Sequence, residues 1–351
     1  MPASLDTSAL GFPVEVTNIS KELKKLWETT GGTQTRASLI NFAVYFQGLE
    51  GSGQNTEFIK DFTREHACRA LLICHEPNST EDKVSAFINA HCHLTRAGAK
   101  QICCEQVSLL FEGKTAGRIA NTLFANLDSD LPLYLWWQGE FPEAIDETLW
   151  SRVDRLIYDS QVWANPKEQF RRLRDSLDRA QANLVLCDLN WARSLHIRQA
   201  LAQMFDHEDN LPILDGLSSM KIAHAPENRS TALLLTSWLA AQLRLTSPKK
   251  DGTGYVFTHP NGQSVKIGLS AEAGRSISIC ELSDGTNSVR VHRDQQGDFF
   301  RVEVRLANGQ IYPHLLPAGS NSTTSLLLWE IGGGSRHKIY NNAVSIIDTL
   351  L

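Results

Sequence analysis

From Ala37 to Leu245 the chain alternates between apolar strand-like runs and amphipathic helical stretches, which leaves few folds open. "ASLINFAVYF" (37–46) and "ACRALLIC" (67–74) predict strands on either side of a helix over about 54–65. "VSAFINAHCHL" (84–94) and "QICCEQVSLLF" (101–111) predict an antiparallel pair, and "TAGRIANTLFANLD" (115–128) a helix. "VDRLIYDS" (153–160), "NLVLCDL" (183–189) and "SSMKIAHAP" (218–226) predict further strands. Helices are predicted between and after them, over 166–180, 194–206 and 230–245. Strands joined through helices run parallel, and such sheets are covered on both faces. From "GYVFTHPNGQSVKIGL" onward the grammar changes. Period-two runs with Asn-Gly, Asp-Gly and Gly-Asp turns predict hairpins at 255–269, 276–293 and 298–312. A last helix is predicted from Thr323, resuming at 339–350 after a Gly-Gly-Gly break, and a first one at 19–30, ended by Gly31-Gly32.

A chain of 351 residues exceeds one ordinary core. The expected fold class is α/β, with two domains built on mostly parallel mixed sheets, the second extended by antiparallel hairpins. The expected division is 1–164 and 165–351, the latter ending in the meander and terminal helix.

A net charge of −5 gives no general attraction to nucleic acid or an anionic membrane, so neither is an expected partner. The longest apolar runs, such as "ALLLTSWLAAQL" (232–243), are too short to span a bilayer. The first residues lack a basic segment followed by a long apolar one, and a cytoplasmic location is expected. Seven cysteines without regular spacing argue against a secreted disulfide framework.

Motifs for chemistry are sparse. Neither a Walker loop nor a dinucleotide fingerprint occurs, and no cofactor is expected. "GLEGSGQN" (48–55) stands between a strand and a helix, where an anion can sit, but its glycines are spaced as in a plain loop. His91 and His93 share one strand face, opposite Cys92, while Cys103 and Cys104 offer one thiol per face. These are too few convergent ligands for a metal centre, and no metal is expected. A redox role for Cys103 or Cys104 is open beside simple packing. No nucleophile elbow or acid–base pair can be assigned.

"LPLYLWWQG" (131–139) is a short strand fenced by Pro132 and Gly139. Successive strand side chains point to opposite faces, so Trp136 and Trp137 cannot share one. Either both are buried under helices, or one indole fills the core and the other meets a domain boundary or a partner. The strand end at 187–201 gathers Asp188, Asn190, Trp191, Arg193 and Arg198 where a helix begins. Ligands of open α/β sheets bind at that end, and two arginines with helix amides suit a phosphate or carboxylate. The plain alternative is a capped helix with Trp191 as core and the arginines as surface charge. Asp188 is expected to accept hydrogen bonds from helix amides or Arg193. Arg198, one turn on, is expected to point outward.

These stretches together carry a family resemblance. "DLPLYLWWQGEFP" (130–142), "RLIYDS" (155–160), "DLNWARSLHIRQALAQMFD" (188–206) and "LLLTSWLAAQL" (233–243) resemble, in order and spacing, the glucose-6-phosphate dehydrogenase assembly proteins known as OpcA. The similarity covers about 35–312. Ser194, Leu195 and His196 depart from the family's pattern, the last standing where a Trp is often found. The resemblance implies a non-catalytic protein that binds glucose-6-phosphate dehydrogenase, promotes its assembly and raises its activity. The competing expectation is a sugar-phosphate sensor or enzyme using Asp188, Arg193 and Arg198.

Overall fold

The computed structural model describes residues 6–28, 34–94, 101–143, 146–179, 184–274, 276–293, 299–332 and 338–351. Gly31-Gly32, most of the Gly-Gly-Gly break and the turn before 299 lie outside them. Two compact units result. The first comprises 1–158 with 171–187, and the second 159–170 with 188–351.

The first unit is built on a nine-stranded mixed sheet. Its centre is parallel. Ile40–Gln47 lies between Cys68–Glu76 and Leu133–Trp137, and Val153–Tyr158 follows outward. Val84–Leu94 runs antiparallel to Gln101–Glu112, as expected. The central strands bury nearly every residue, including Phe42, Val44, Leu71 and Leu72. This continuous burial is the mark of a strand covered on both faces. Between two of these strands runs the helix Ser52–Glu65, which buries Ile59 and Phe62. The helix expected over 115–128 shortens to Ile119–Phe124. Asn41 explains how the following loop is held. Its side chain donates to the Asp128 and Leu131 carbonyls and accepts from the Asp128 amide.

The second unit carries an eight-stranded mixed sheet. One pairing is parallel, Ser219–His224 against Ser264–Ala271, and the others are antiparallel. The hairpins therefore build most of this sheet rather than extending a parallel one. Burial alternates along its strands: Val265, Ile267 and Leu269 are buried, while Ser264, Lys266 and Gly268 are exposed. One face packs on the unit's helices, chief among them Arg229–Gln242, which buries ten consecutive residues from Thr231 to Ala240. The terminal helix Lys338–Leu350 lies along it, and Tyr255 donates to the Leu350 carbonyl across 2.6 Å. Among the described residues no helix is long and apolar enough to cross a membrane.

Candidate functional site

The two tryptophans of Leu133–Trp137 do point to opposite faces, and both are buried, at 8% and 4% exposure. Trp136 meets Phe58 of the helix Ser52–Glu65 edge-on at 5.1 Å. On the other face Trp137 stacks on Tyr45 at 3.8 Å and touches Phe141 and Trp150. Its indole N–H donates to the Glu140 carbonyl at 3.2 Å, so the ring is both packed and satisfied. Gly139, with φ of 85°, lets the chain turn out of the strand directly afterwards. Neither indole is offered to a partner by its own exposure.

The strand Val185–Asp188 closes the first sheet's edge, and Asp188 passes into the second unit. There it caps the short helix Leu189–Arg193, accepting from the Asn190 amide at 2.9 Å. It also accepts from the Ser160 amide at 3.0 Å, the Ser160 hydroxyl at 2.6 Å and the Tyr340 hydroxyl at 3.1 Å. Asp188 has no exposed surface. Burial, with the Asp159 carboxylate nearby, pushes its pKa up to about 7 against the pull of these donors. Asn190 extends the network, donating to Ser160 and Ser230 and accepting from Thr231.

Arg193 does not reach Asp188. It forms a bidentate pair with Asp159, both contacts at 2.6 Å. This planar fork-to-fork geometry is what guanidinium and carboxylate favour.

Arg198 corrects the expectation of an outward side chain. It is only 9% exposed. Its guanidinium lies 3.5 Å from the Trp191 ring centre and donates to the Ser194 hydroxyl at 3.0 Å and the Trp191 carbonyl at 3.3 Å. The physical reason is a break at Ser194 between Leu189–Arg193 and Leu195–Met204. Across it the polypeptide still keeps Trp191, Ser194 and Arg198 at helical spacing, so they share a face. Burial lowers the Arg198 pKa to about 9, and Glu330 opposes the shift. Trp191 is buried beside Tyr340, with ring centres 5.5 Å apart.

The structure thus joins Asp188 with Asn190, and Trp191 with Arg198, into a closed polar junction inside the second unit. Of the seven expected residues, Arg193 lines an open cleft about 930 Å³ in volume, together with Gln161, Asn228, Ser276 and Arg293. Asp159, Ser160 and Tyr340 are members that sequence reasoning missed. "YDS" follows a strand and supplies a helix cap, which was a local signal for the first two. Tyr340 lies 152 residues from Asp188, and nothing local announces it.

In the first unit, His91 bonds to Gln106 at 2.7 Å and His93 to Thr63 at 3.0 Å. Burial lowers both imidazole pKa values, which favours the neutral rings. Cys103 is not a free thiol: it forms a disulfide with Cys92 directly across the antiparallel pair. Cys104 is free and buried, and burial pushes its thiol pKa up. Another interior feature escaped the sequence. Arg69 pairs with Glu105 at 2.9 Å, and Trp27 donates to the same carboxylate at 2.6 Å.

The family model described as the glucose-6-phosphate dehydrogenase subunit N-terminal domain matches residues 59–175, and that described as the C-terminal domain matches 185–344. The chain belongs to the OpcA family. A Synechocystis relative bearing the name OxPP cycle protein OpcA is 26% identical over 258 residues, covering 70% of this chain and 52% of the relative. A second, from Synechococcus elongatus, is 28% identical over 183 residues, covering 51% of this chain and 40% of the relative. The chain spans about half the length of the curated relatives it matches. Among solved structures, an NAD-binding protein from Listeria innocua aligns with a TM-score of 0.48 at 9% identity, over 89% of this chain and 93% of that one. Trp136 and Trp137 fall in the first OpcA region. The second opens at the strand Val185–Asp188, so the whole Asp188–Arg198 junction lies inside it.

Proposed function

We propose that this OpcA-family chain is a non-catalytic assembly factor that binds glucose-6-phosphate dehydrogenase and activates it allosterically, in the cytoplasm and in the oxidative pentose phosphate pathway. The observation that carries the reading is the match of both OpcA models over most of the chain. The site geometry supports it. Asp188, Asn190 and Arg198 spend their hydrogen-bonding capacity on one another's neighbourhood, as structural groups do. The sugar-phosphate reading needs Arg193 and Arg198 converging on one pocket, and Arg198 is turned onto Trp191 instead.

An activator raises the rate only by binding the active form of its partner more tightly than the inactive form. Each ~1.4 kcal/mol of preference shifts that equilibrium about tenfold. The test is co-purification of the tagged chain with its cognate dehydrogenase from one cell extract, followed by sizing of the complex. Stoichiometric recovery of a larger dehydrogenase assembly is the expected result. A dehydrogenase that elutes unchanged, with no chain attached, overturns the reading.

A further inference from the structure

We propose that the uncovered face of the second unit's sheet is the docking surface, and that it receives an acidic protein surface bearing an apolar patch. The proposal deepens the functional reading and rests on it, because it names where the dehydrogenase would sit.

The face is defined by strand register. Partners across a sheet share a side, which places Lys249, Val256, Lys266, Ser219, Ser283 and Ser288 in one row. Arg305 and Ile311 complete it. The next row runs Lys221, Glu281, Arg290, Glu303 and Pro313, and a third starts at the buried Ala223 and runs through Ile279 and His292 to the exposed Arg301 and Leu315. The opposite side of the same strands carries the buried Val265, Ile267, Val289, Val291, Val302 and Val304 against the helices. An antiparallel sheet solvated on one side normally shows polar residues there. This one departs from that rule at one end. Phe299, Ile311 and Leu315 are exposed, Leu315 at 66%. They lie beside Arg301 and Arg305, and interfaces are enriched in aromatic residues and arginine, here Phe299 with Arg301 and Arg305.

Charge selects the occupant. Among the described residues the face carries six bases: Lys221, Lys249, Lys266, Arg290, Arg301 and Arg305. It carries three acids: Asp251, Glu281 and Glu303. The whole chain is at −5, so this face is basic against the average of its own surface. A second copy laid face to face would set like charge against like, whereas an acidic partner is attracted and steered. Size fits as well. Eight strands at ~4.8 Å spacing and ~20 Å length give on the order of 700 Å², near the ~800 Å² each partner of a standard interface contributes. Pro313 and Pro317 on the edge strand Ile311–Pro317 lack the N–H that strand addition requires, so the partner rests on the face rather than extending the sheet.

The experiment measures binding of the cognate dehydrogenase by calorimetry at low and high salt, using the full chain. The variants are Arg301→Glu with Arg305→Glu, Leu315→Ser, and, as control, Lys24→Glu, at a position exposed on the helix Ile19–Glu28 of the first unit. Melting curves establish that each variant folds. The expected result is binding weakened about tenfold or more by the charge reversal and by Leu315→Ser. The Lys24 control binds normally, and the unaltered chain loses affinity as salt rises. Variants that bind like the unaltered chain overturn the surface while leaving the functional reading standing. No binding by the unaltered chain overturns the reading and this occupant together. A dimer of the chain alone that Leu315→Ser dissolves assigns the face to a second copy and overturns the acidic partner.

Discussion

The two sheets of this molecule obey different rules. In the first, Phe42 to Phe46 and Cys68 to Cys74 are buried without interruption. In the second, Ser264 to Leu269 alternates strictly between exposed and buried. A sheet covered on both sides spends all its side chains on its own core. A sheet covered on one side has a free face, and that face can serve a partner. In a protein whose polar junction is sealed, the side of a sheet left unused is the surface free to meet a partner.

The largest effect that sharpens the contrast is expected at Trp137→Ala. It removes a ring packed against Tyr45, Phe141 and Trp150, at a cost of ~3–5 kcal/mol. Chemical denaturation measures it. A loss no larger than that of a free-face substitution would erase the distinction between the sheets.

Next comes Arg198→Ala, in the second unit's closed junction. It loses the stacking on Trp191 and two hydrogen bonds, and is expected to cost ~2–3 kcal/mol. An unchanged melting temperature would show that Arg198 is a surface charge after all.

A different readout, a slope rather than a single loss, is a pH dependence. The Asp188 pKa is raised from 3.8 to about 7, so the native state holds its proton where the unfolded chain has lost it. The folded state then binds more protons across that window, and stability falls as pH rises from about 4 to about 7. The contribution is at most ~1.4 kcal/mol per pH unit, and it flattens above the upper value. Asp188→Asn keeps an acceptor for the Ser160 and Asn190 amides and cannot titrate. Melting curves of this variant across the same range are expected to lose that slope. An identical slope in both proteins would assign the titration to another group.

The smallest effect is on the free face. Leu315→Ala is expected to change stability by no more than ~0.5 kcal/mol, because the side chain is largely in water. A cost of several kcal/mol would mean that the face is covered.

Much of the first sheet could be read from sequence, because continuous apolar runs bounded by helices have one common solution. The hairpins were legible from Asn-Gly at 261–262 and Asp-Gly at 284–285, where turn chemistry fixes the register. The second sheet's dominance by antiparallel pairing was harder to see. Ser219–His224 reads like any strand in an alternating pattern, yet it pairs antiparallel with Ile277–Ser283 on one side. The polar junction was half visible. Asp188 as a cap follows from its place before a helix, but Tyr340 arrives through tertiary packing alone. Arg198 was misdirected because charge suggested water. Its spacing of four from Ser194 and seven from Trp191 held the better signal.

On the function proposed above, the chain acts by being bound rather than by doing chemistry. The direct measurement is the rate of purified cognate dehydrogenase, followed by nicotinamide reduction, as the chain is titrated in. A saturable rise in dehydrogenase rate is expected, with no reduction by the chain alone with glucose 6-phosphate. A rate that stays flat while the complex forms, or turnover by the chain alone, would contradict it.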